Sequence, residues 1–208
     1  MEVVLATGNV GKLKEMKALL APFGWRIYPQ TDFFDEAVEE TGLTFVENAM
    51  LKARFAAAKA GLPAIADDSG LEVDILQGSP GIYSSRYAGA SATDAQNVQK
   101  LLQKLEGVPM EKRTANFYCA MVFLRHAEDP TPLIGLGQWQ GRILTAPQGE
   151  GGFGYDPVFE VLELGISAAE LPAEQKQQLS HRTQAMENLL AQMVEARDQV
   201  RITTEAAR

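Results

Sequence analysis

Asp67 and Asp68 stand side by side where the apolar run Ala64-Ile65-Ala66 ends, and Ser69 and Gly70 follow them. Adjacent carboxylates repel one another unless a cation or a shared proton offsets the charge, so the pair points to a metal site or to acid–base work. Magnesium suits such a pair, because this hard cation takes one or two carboxylates and leaves its other positions to water and substrate phosphates. The same residues also read as an Asp-Ser-Gly turn that closes a strand, with side chains bonding their own backbone. On this stretch alone both readings stand.

Three further segments carry groups that chemistry could use. Thr7-Gly8-Asn9-Val10-Gly11-Lys12 sits where a strand passes into a helix, a place where backbone N–H groups and the helix dipole favour an anion, and Lys12 adds a full charge. It is not a Walker A loop, since Ala6 and Leu13 occupy positions that pattern gives to glycine and to serine or threonine; a glycine turn with a solvated lysine is the plainer reading. Gly151-Gly152-Phe153-Gly154-Tyr155-Asp156-Pro157 alternates small residues with aromatics. Backbone can approach a ligand closely there, a ring offers a stacking face and Asp156 can accept from a base N–H; structural aromatics in a tight turn are the alternative. Ser180-His181-Arg182 opens the last helix, where an ordinary cap with exposed side chains is the usual reading.

The elements that position these groups follow from periodicity. Val3 to Ala6 reads as a buried strand, and Leu13, Met16 and Leu20 mark a helix that stops at Pro22. Thr44 and Glu47 form a capping box before an alanine-rich helix over residues 49–60, ended by Gly61 and Pro63. Asn48 and Lys52 share one face of it, downstream of Glu36, Glu39 and Glu40, and Glu40 in its loop could reach Asp68 as a second metal ligand. A strand over 63–66 and a half-exposed strand over 71–75 flank the acidic pair. Thr93 and Gln96 cap a helix carrying Val98, Leu101, Leu102 and Leu105. Long strands follow at 115–124 and about 133–144, then an amphipathic helix from Thr183 marked by Met186, Leu190 and Met193, with a tail from about 198 that frays. One α/β domain over residues 1–208, built around a mixed sheet, accounts for this order.

With 19 Lys and Arg against 27 Asp and Glu, the net charge of -8 argues against a nucleic-acid polymer or an anionic membrane as partner, while a local basic pocket for a small anion remains compatible. A single cysteine, Cys119, within an apolar run excludes an internal disulfide framework, and with two histidines the chain cannot furnish a typical structural zinc site. Neither a signal peptide nor a membrane span is expected, which makes the chain cytosolic.

Taken together, Thr-Gly-Asn-x-x-Lys at 7–12, Glu-Glu-Thr-Gly-Leu-Thr-Phe-Val-Glu-Asn-Ala at 39–49, Ala-Asp-Asp-Ser-Gly-Leu at 66–71, Gly-Phe-Gly-Tyr-Asp-Pro at 152–157 and Ser-His-Arg at 180–182 occur in order. The set closely resembles the inosine triphosphate pyrophosphatase family, the Ham1-like noncanonical purine NTP pyrophosphatases. The resemblance implies an elongated mixed β-sheet flanked by helices, two lobes with a central active-site cleft, and magnesium-dependent hydrolysis of ITP, dITP and XTP by a cytoplasmic homodimer that cleanses the nucleotide pool. It assigns Thr7, Gly8, Asn9, Val10, Gly11 and Lys12 to the triphosphate, with Lys52 and Lys176 adding charge. Glu40 and Asp68 would hold magnesium, and Asp68 would accept the proton. Ser69, Phe153, Gly154, Tyr155, Asp156, His181 and Arg182 would surround the nucleoside, Arg182 as a pure donor suited to a 6-oxo purine. Arg86 lies in a matching segment. Gln148 and Gly165-Ile166-Ser167 depart from the family pattern. A non-catalytic nucleotide sensor would use the same pocket without needing Asp68, and a Maf-like hydrolase would share the broad fold without the 152–157 and 180–182 segments.

Overall fold

Val3, Val4 and Leu5 have no exposed surface, as befits a strand covered on both faces, and they form β1 (Glu2–Leu5). The computed structural model describes residues 1–206, with side chains through 194. β1 pairs in parallel with β2 (Arg26–Pro29) on one side and with β3 (Ala64–Val73) on the other. Parallel neighbours require crossovers. The first contains α1 (Val10–Leu20), which buries Met16 and Leu20; the second contains α2 (Phe45–Ala60). Ala49, Ala53 and Ala56 recur along α2 at helical spacing and pack with Val4, Ala6, Ala64 and Ala66, the small side chains letting the helix lie close. Gly61 ends α2 in the left-handed conformation, its N–H returning to the Ala57 carbonyl.

Two local expectations change. The acidic pair does not close a strand: β3 runs unbroken through Asp67-Asp68-Ser69-Gly70, joining what the sequence divides at 66, and ends at Val73 before a short 3-10 turn. Thr44 caps α2 by accepting from the Glu47 N–H, but the Glu47 carboxylate accepts from Leu43 N–H and the Thr44 hydroxyl, so the capping box is not the reciprocal one. The reciprocal box does occur on α3 (Asp94–Lys104), at Thr93 and Gln96.

The remaining strands are β4 (Thr114–Leu124), β5 (Leu133–Ile143), β6 (Phe159–Val161) and β7 (Ile166–Ser167). Among the described residues the seven strands form one mixed sheet in the order β2-β1-β3-β4-β5-β6-β7, with β5, β6 and β7 antiparallel. α4 (Ala173–Leu179) and α5 (His181–Ala206) complete the chain. α5 begins two residues before the expected start and buries Ala185, Met186 and Leu189; side chains of the tail from 198 lie outside the described residues.

The chain divides into two compact units. Unit 1 comprises residues 1–68, 120–137 and 182–208, and its core includes the alanine face of α2 with Val122 and Leu124. Unit 2 comprises 69–119 and 138–181, with a core of Leu71, Val73, Leu101, Phe117, Trp139, Ile143 and Phe159. Within unit 1, α5 lies directly on Gly135 of β5: a Cβ there would sit 2.0 Å from the Ala185 carbonyl oxygen and 2.8 Å from Leu189 N. Backbone cannot yield cheaply, so Gly135→Ala is expected to destabilise the protein by about 3 kcal/mol, read as a lower urea midpoint at unchanged slope.

Candidate active site

Neighbouring residues of a strand send their side chains to opposite faces, and the acidic pair diverges accordingly. Asp67, fully buried, accepts from Lys12 Nζ at 2.8 Å, and Arg182 Nε lies 3.7 Å from the same oxygen. Arg182 also donates through Nη1 to Glu15 at 2.6 Å. Asp68 accepts from Lys52 Nζ at 2.8 Å through one oxygen and from the Asn48 amide at 3.4 Å through the other. Lys52 reaches Glu40 at 3.0 Å as well, so one ammonium draws two carboxylates together. The Asn48 carbonyl oxygen accepts from the Gly42 N–H at 2.8 Å and thereby ties down the loop that carries Glu40.

These surroundings set the two carboxylates apart. Burial alone would push Asp67 up, but Lys12, Arg182 and Lys52 outweigh it and hold the carboxyl well below its ordinary range. At Asp68 burial prevails over the pull of Lys52, and the carboxyl is raised. Lys52 would lose proton affinity by burial, yet Asp68, Asp67 and Glu40 together raise it, so it remains an ammonium. One aspartate is a fixed anion and its neighbour a stronger base, the separation of roles that acid–base chemistry uses.

The Thr7 to Lys12 segment runs from the end of β1 into α1. Thr7 accepts from Asn9 N–H at 3.2 Å, and Asn9 caps α1 by accepting from Lys12 N–H at 3.1 Å. A Cβ at Gly8 would meet no heavy atom within 4 Å, leaving the backbone open to close approach. Val10 is exposed.

In unit 2 the glycine-aromatic segment is a tight turn, with Gly152 at φ +73° and Gly154 at φ +63°. Asp156 is buried, and its carboxylate accepts from the Phe153 N–H at 2.8 Å and from Lys176. A Cβ on Gly152 would come within 2.1 Å of that carboxylate, which explains the glycine. Lys176 also lies 4.9 Å from the centre of the Phe153 ring. Tyr155 is buried, and its hydroxyl donates to the Ser84 carbonyl at 2.8 Å. His181 stacks on Phe117 at 5.0 Å with ring planes 11° apart. Ser69 is half-buried just past the acidic pair on β3. Ser180, His181 and Arg182 are all buried, which overturns the exposed-cap reading of that segment. The two departures from the family pattern meet: Ser167 Oγ donates to the Gln148 carbonyl at 2.7 Å.

Glu15 is the site residue that the sequence left without a role; the sequence presents Asp67 only as half of the acidic pair, and Asn48 only as sharing a helix face with Lys52. Glu15 lies one helical turn beyond Lys12 on α1, and that spacing was the available signal.

The donor set fits magnesium. Glu40 and Asp68 already converge on a single cationic atom. Among the described residues no three His, Cys, Asp or Glu side chains gather as a metal cage, and magnesium needs none, since it fills its remaining positions with water and phosphate.

Residues 3–192 match the Ham1 family. The chain belongs to this family. A dITP/XTP pyrophosphatase of Photobacterium profundum is 58% identical over 195 residues, covering 94% of this chain and 99% of that protein. One from Escherichia coli K12 is 59% identical over 189 residues, covering 91% and 96%. The solved HAM1 protein of Coxiella burnetii, 48% identical, superposes with a TM-score of 0.87 over 94% of this chain and 99% of that one.

Asp67→Asn takes from Lys12 its buried counter-charge, while Arg182 keeps Glu15, and a loss of about 3 kcal/mol is expected at pH 7. Because the folded carboxyl lies below its reference value of 3.8, its contribution is complete above that pH and drains away below it. Urea denaturation should therefore give a gap between variant and wild type that is steady from pH 7 to 5 and closes in more acid solution.

Proposed function

We propose that the chain hydrolyses the noncanonical purine nucleoside triphosphates ITP, dITP and XTP to the monophosphate and pyrophosphate, removing them from the nucleotide pool. The observation that carries this reading is the convergence of Asp68 and Glu40 on the Lys52 ammonium at 2.8 and 3.0 Å; burial, which raises the Asp68 carboxyl, suits it to act as a base. The dITP/XTP pyrophosphatase names of the relatives agree with it.

A triphosphate is a dense negative charge, and Lys12 and Lys52 supply local positive charge that the chain as a whole lacks. The open backbone at Gly8 and the start of α1 favour phosphate oxygens approaching Thr7 to Lys12. Asp68 takes a proton from a water that attacks the α-phosphorus in line. The bond from that phosphorus to the bridging oxygen breaks, and pyrophosphate leaves. Magnesium, held by Glu40 and Asp68, would neutralise phosphate charge and stabilise the leaving group.

Phe153 offers its ring to the base, while Asp156 serves chiefly to hold the turn, its carboxylate accepting from Phe153 N–H and Lys176. Lys176 acts through that pair. Ser69, Gly154, Tyr155, His181 and Arg182 complete the nucleoside assignment, with the Arg182 guanidinium braced by Glu15 and Asp67. No helix among the described residues is long and apolar enough to cross a membrane, and a cytoplasmic homodimer completes the proposal; a light-scattering mass tests the dimer.

Pyrophosphate release from ITP, XTP, dITP, GTP and ATP, with magnesium and again with chelator, tests the function. Release should be confined largely to the first three and should vanish in chelator; nucleotide binding without release would favour a sensor. Asp68→Asn should fold as wild type and lose turnover by roughly a hundredfold or more, whereas undiminished turnover removes Asp68 from its role.

A further inference from the structure

Two successive backbone N–H groups at the glycine-aromatic turn, those of Phe153 and Gly154, are each met by a carboxylate, but not by the same one. Asp156, within the turn, takes the first at 2.8 Å. Asp94, sixty residues away on the first turn of α3, takes the second at 2.8 Å. With positive φ at both Gly152 and Gly154 the turn has little stiffness of its own, so its shape depends on what its N–H groups bind.

The start of α3 is built to hold loops in place. The reciprocal capping box of Thr93 and Gln96 fixes its first turn. Three residues beyond Asp94, the buried Asn97 accepts from Ala88 N–H at 2.8 Å and donates to the Ser85 carbonyl at 3.1 Å. The adjacent Ser84 carbonyl receives the Tyr155 hydroxyl. The segment 84–88 and the turn 153–155 are thus both fastened to one helix end.

We propose that Asp94 is a positioning residue for nucleoside binding: by accepting from Gly154 N–H it holds the turn so that the Phe153 ring stands ready to stack on the purine. This rests on the nucleoside role given above to the 153–156 turn. Asp94 itself is exposed, and on this proposal it touches no reacting atom. Its contribution is the acceptor geometry, so asparagine, which keeps an acceptor oxygen and loses the charge, should replace it.

The test compares wild type, Asp94→Ala and Asp94→Asn in ITP hydrolysis and in binding of inosine monophosphate and of inorganic tripolyphosphate by titration calorimetry, with thermal melts alongside. Asp94→Ala should raise KM for ITP and weaken inosine monophosphate binding by roughly five- to tenfold, the scale of one lost hydrogen bond, with kcat within about twofold. Tripolyphosphate binding should be unchanged, and Asp94→Asn should restore both nucleoside-dependent quantities. Wild-type nucleotide affinity in Asp94→Ala, an equal defect in Asp94→Asn, or a parallel loss of tripolyphosphate binding would each overturn the inference. If wild type binds inosine monophosphate but releases no pyrophosphate, the hydrolytic reading fails while the binding comparison still decides the role of Asp94. If wild type binds neither nucleotide, both fail.

Discussion

The arrangement of unit 1 depends on two adjacent carboxylates being carried in the middle of a strand. In a turn they would bond their own backbone and compete for the same cation. In β3 the two-residue period sends them apart, and each meets a different lysine, Asp67 with Lys12 and Asp68 with Lys52. Burying both charges is tolerable only because each is matched in this way. Much else in the unit serves that matching: α1 delivers Lys12 and Glu15, α2 delivers Asn48 and Lys52, and the first turn of α5 delivers Arg182.

The matching is unequal, and the inequality is chemically useful. Asp67 faces two cationic side chains and stays ionised, whereas Asp68 shares Lys52 with Glu40 and is raised by its own burial. A chain of net charge -8 thus places Lys12, Lys52 and Arg182 on carboxylates inside the candidate site. On the proposed function, a phosphate ligand would meet lysines already drawn inward and oriented, at the cost of competing with the carboxylates that hold them.

Unit 2 solves a different problem with the same chemistry. Its turn needs glycine at 152 because the Asp156 carboxylate occupies the space a side chain would fill, and at 154 because the backbone is left-handed there. Such a turn is floppy unless its N–H groups are held, and Asp94, Asp156 and the Tyr155 hydroxyl hold it from three directions. Asp156, legible in the sequence as an acceptor for a base, accepts from Phe153 N–H and Lys176 through one of its carboxylate oxygens.

Local sequence determined the elements whose signals are local: α1 from periodicity and its stop at Pro22, α2 from its alanines and the stop at Gly61, α3 from its capping residues, and β4 and β5 from stretches rich in aromatic and aliphatic residues. The motif set led to the family, and the i to i+4 spacing of Asn48 and Lys52 put both on one helix face, which the structure turns toward Asp68. The short β2, β6, β7 and α4 left no pattern, because two to seven residues hold too few repeats for a period to register. Whether Asp-Asp-Ser-Gly turns or extends was likewise undecidable locally, since the cations that stabilise the extended form come from elsewhere. Lys12 and Asp67 lie 55 residues apart, Glu15 and Arg182 lie 167 apart, and Asp94 and Gly154 lie 60 apart. Those partnerships were decided only by the tertiary structure, because a side chain announces its charge in the sequence but acquires a partner only when strand order and helix packing bring one within reach.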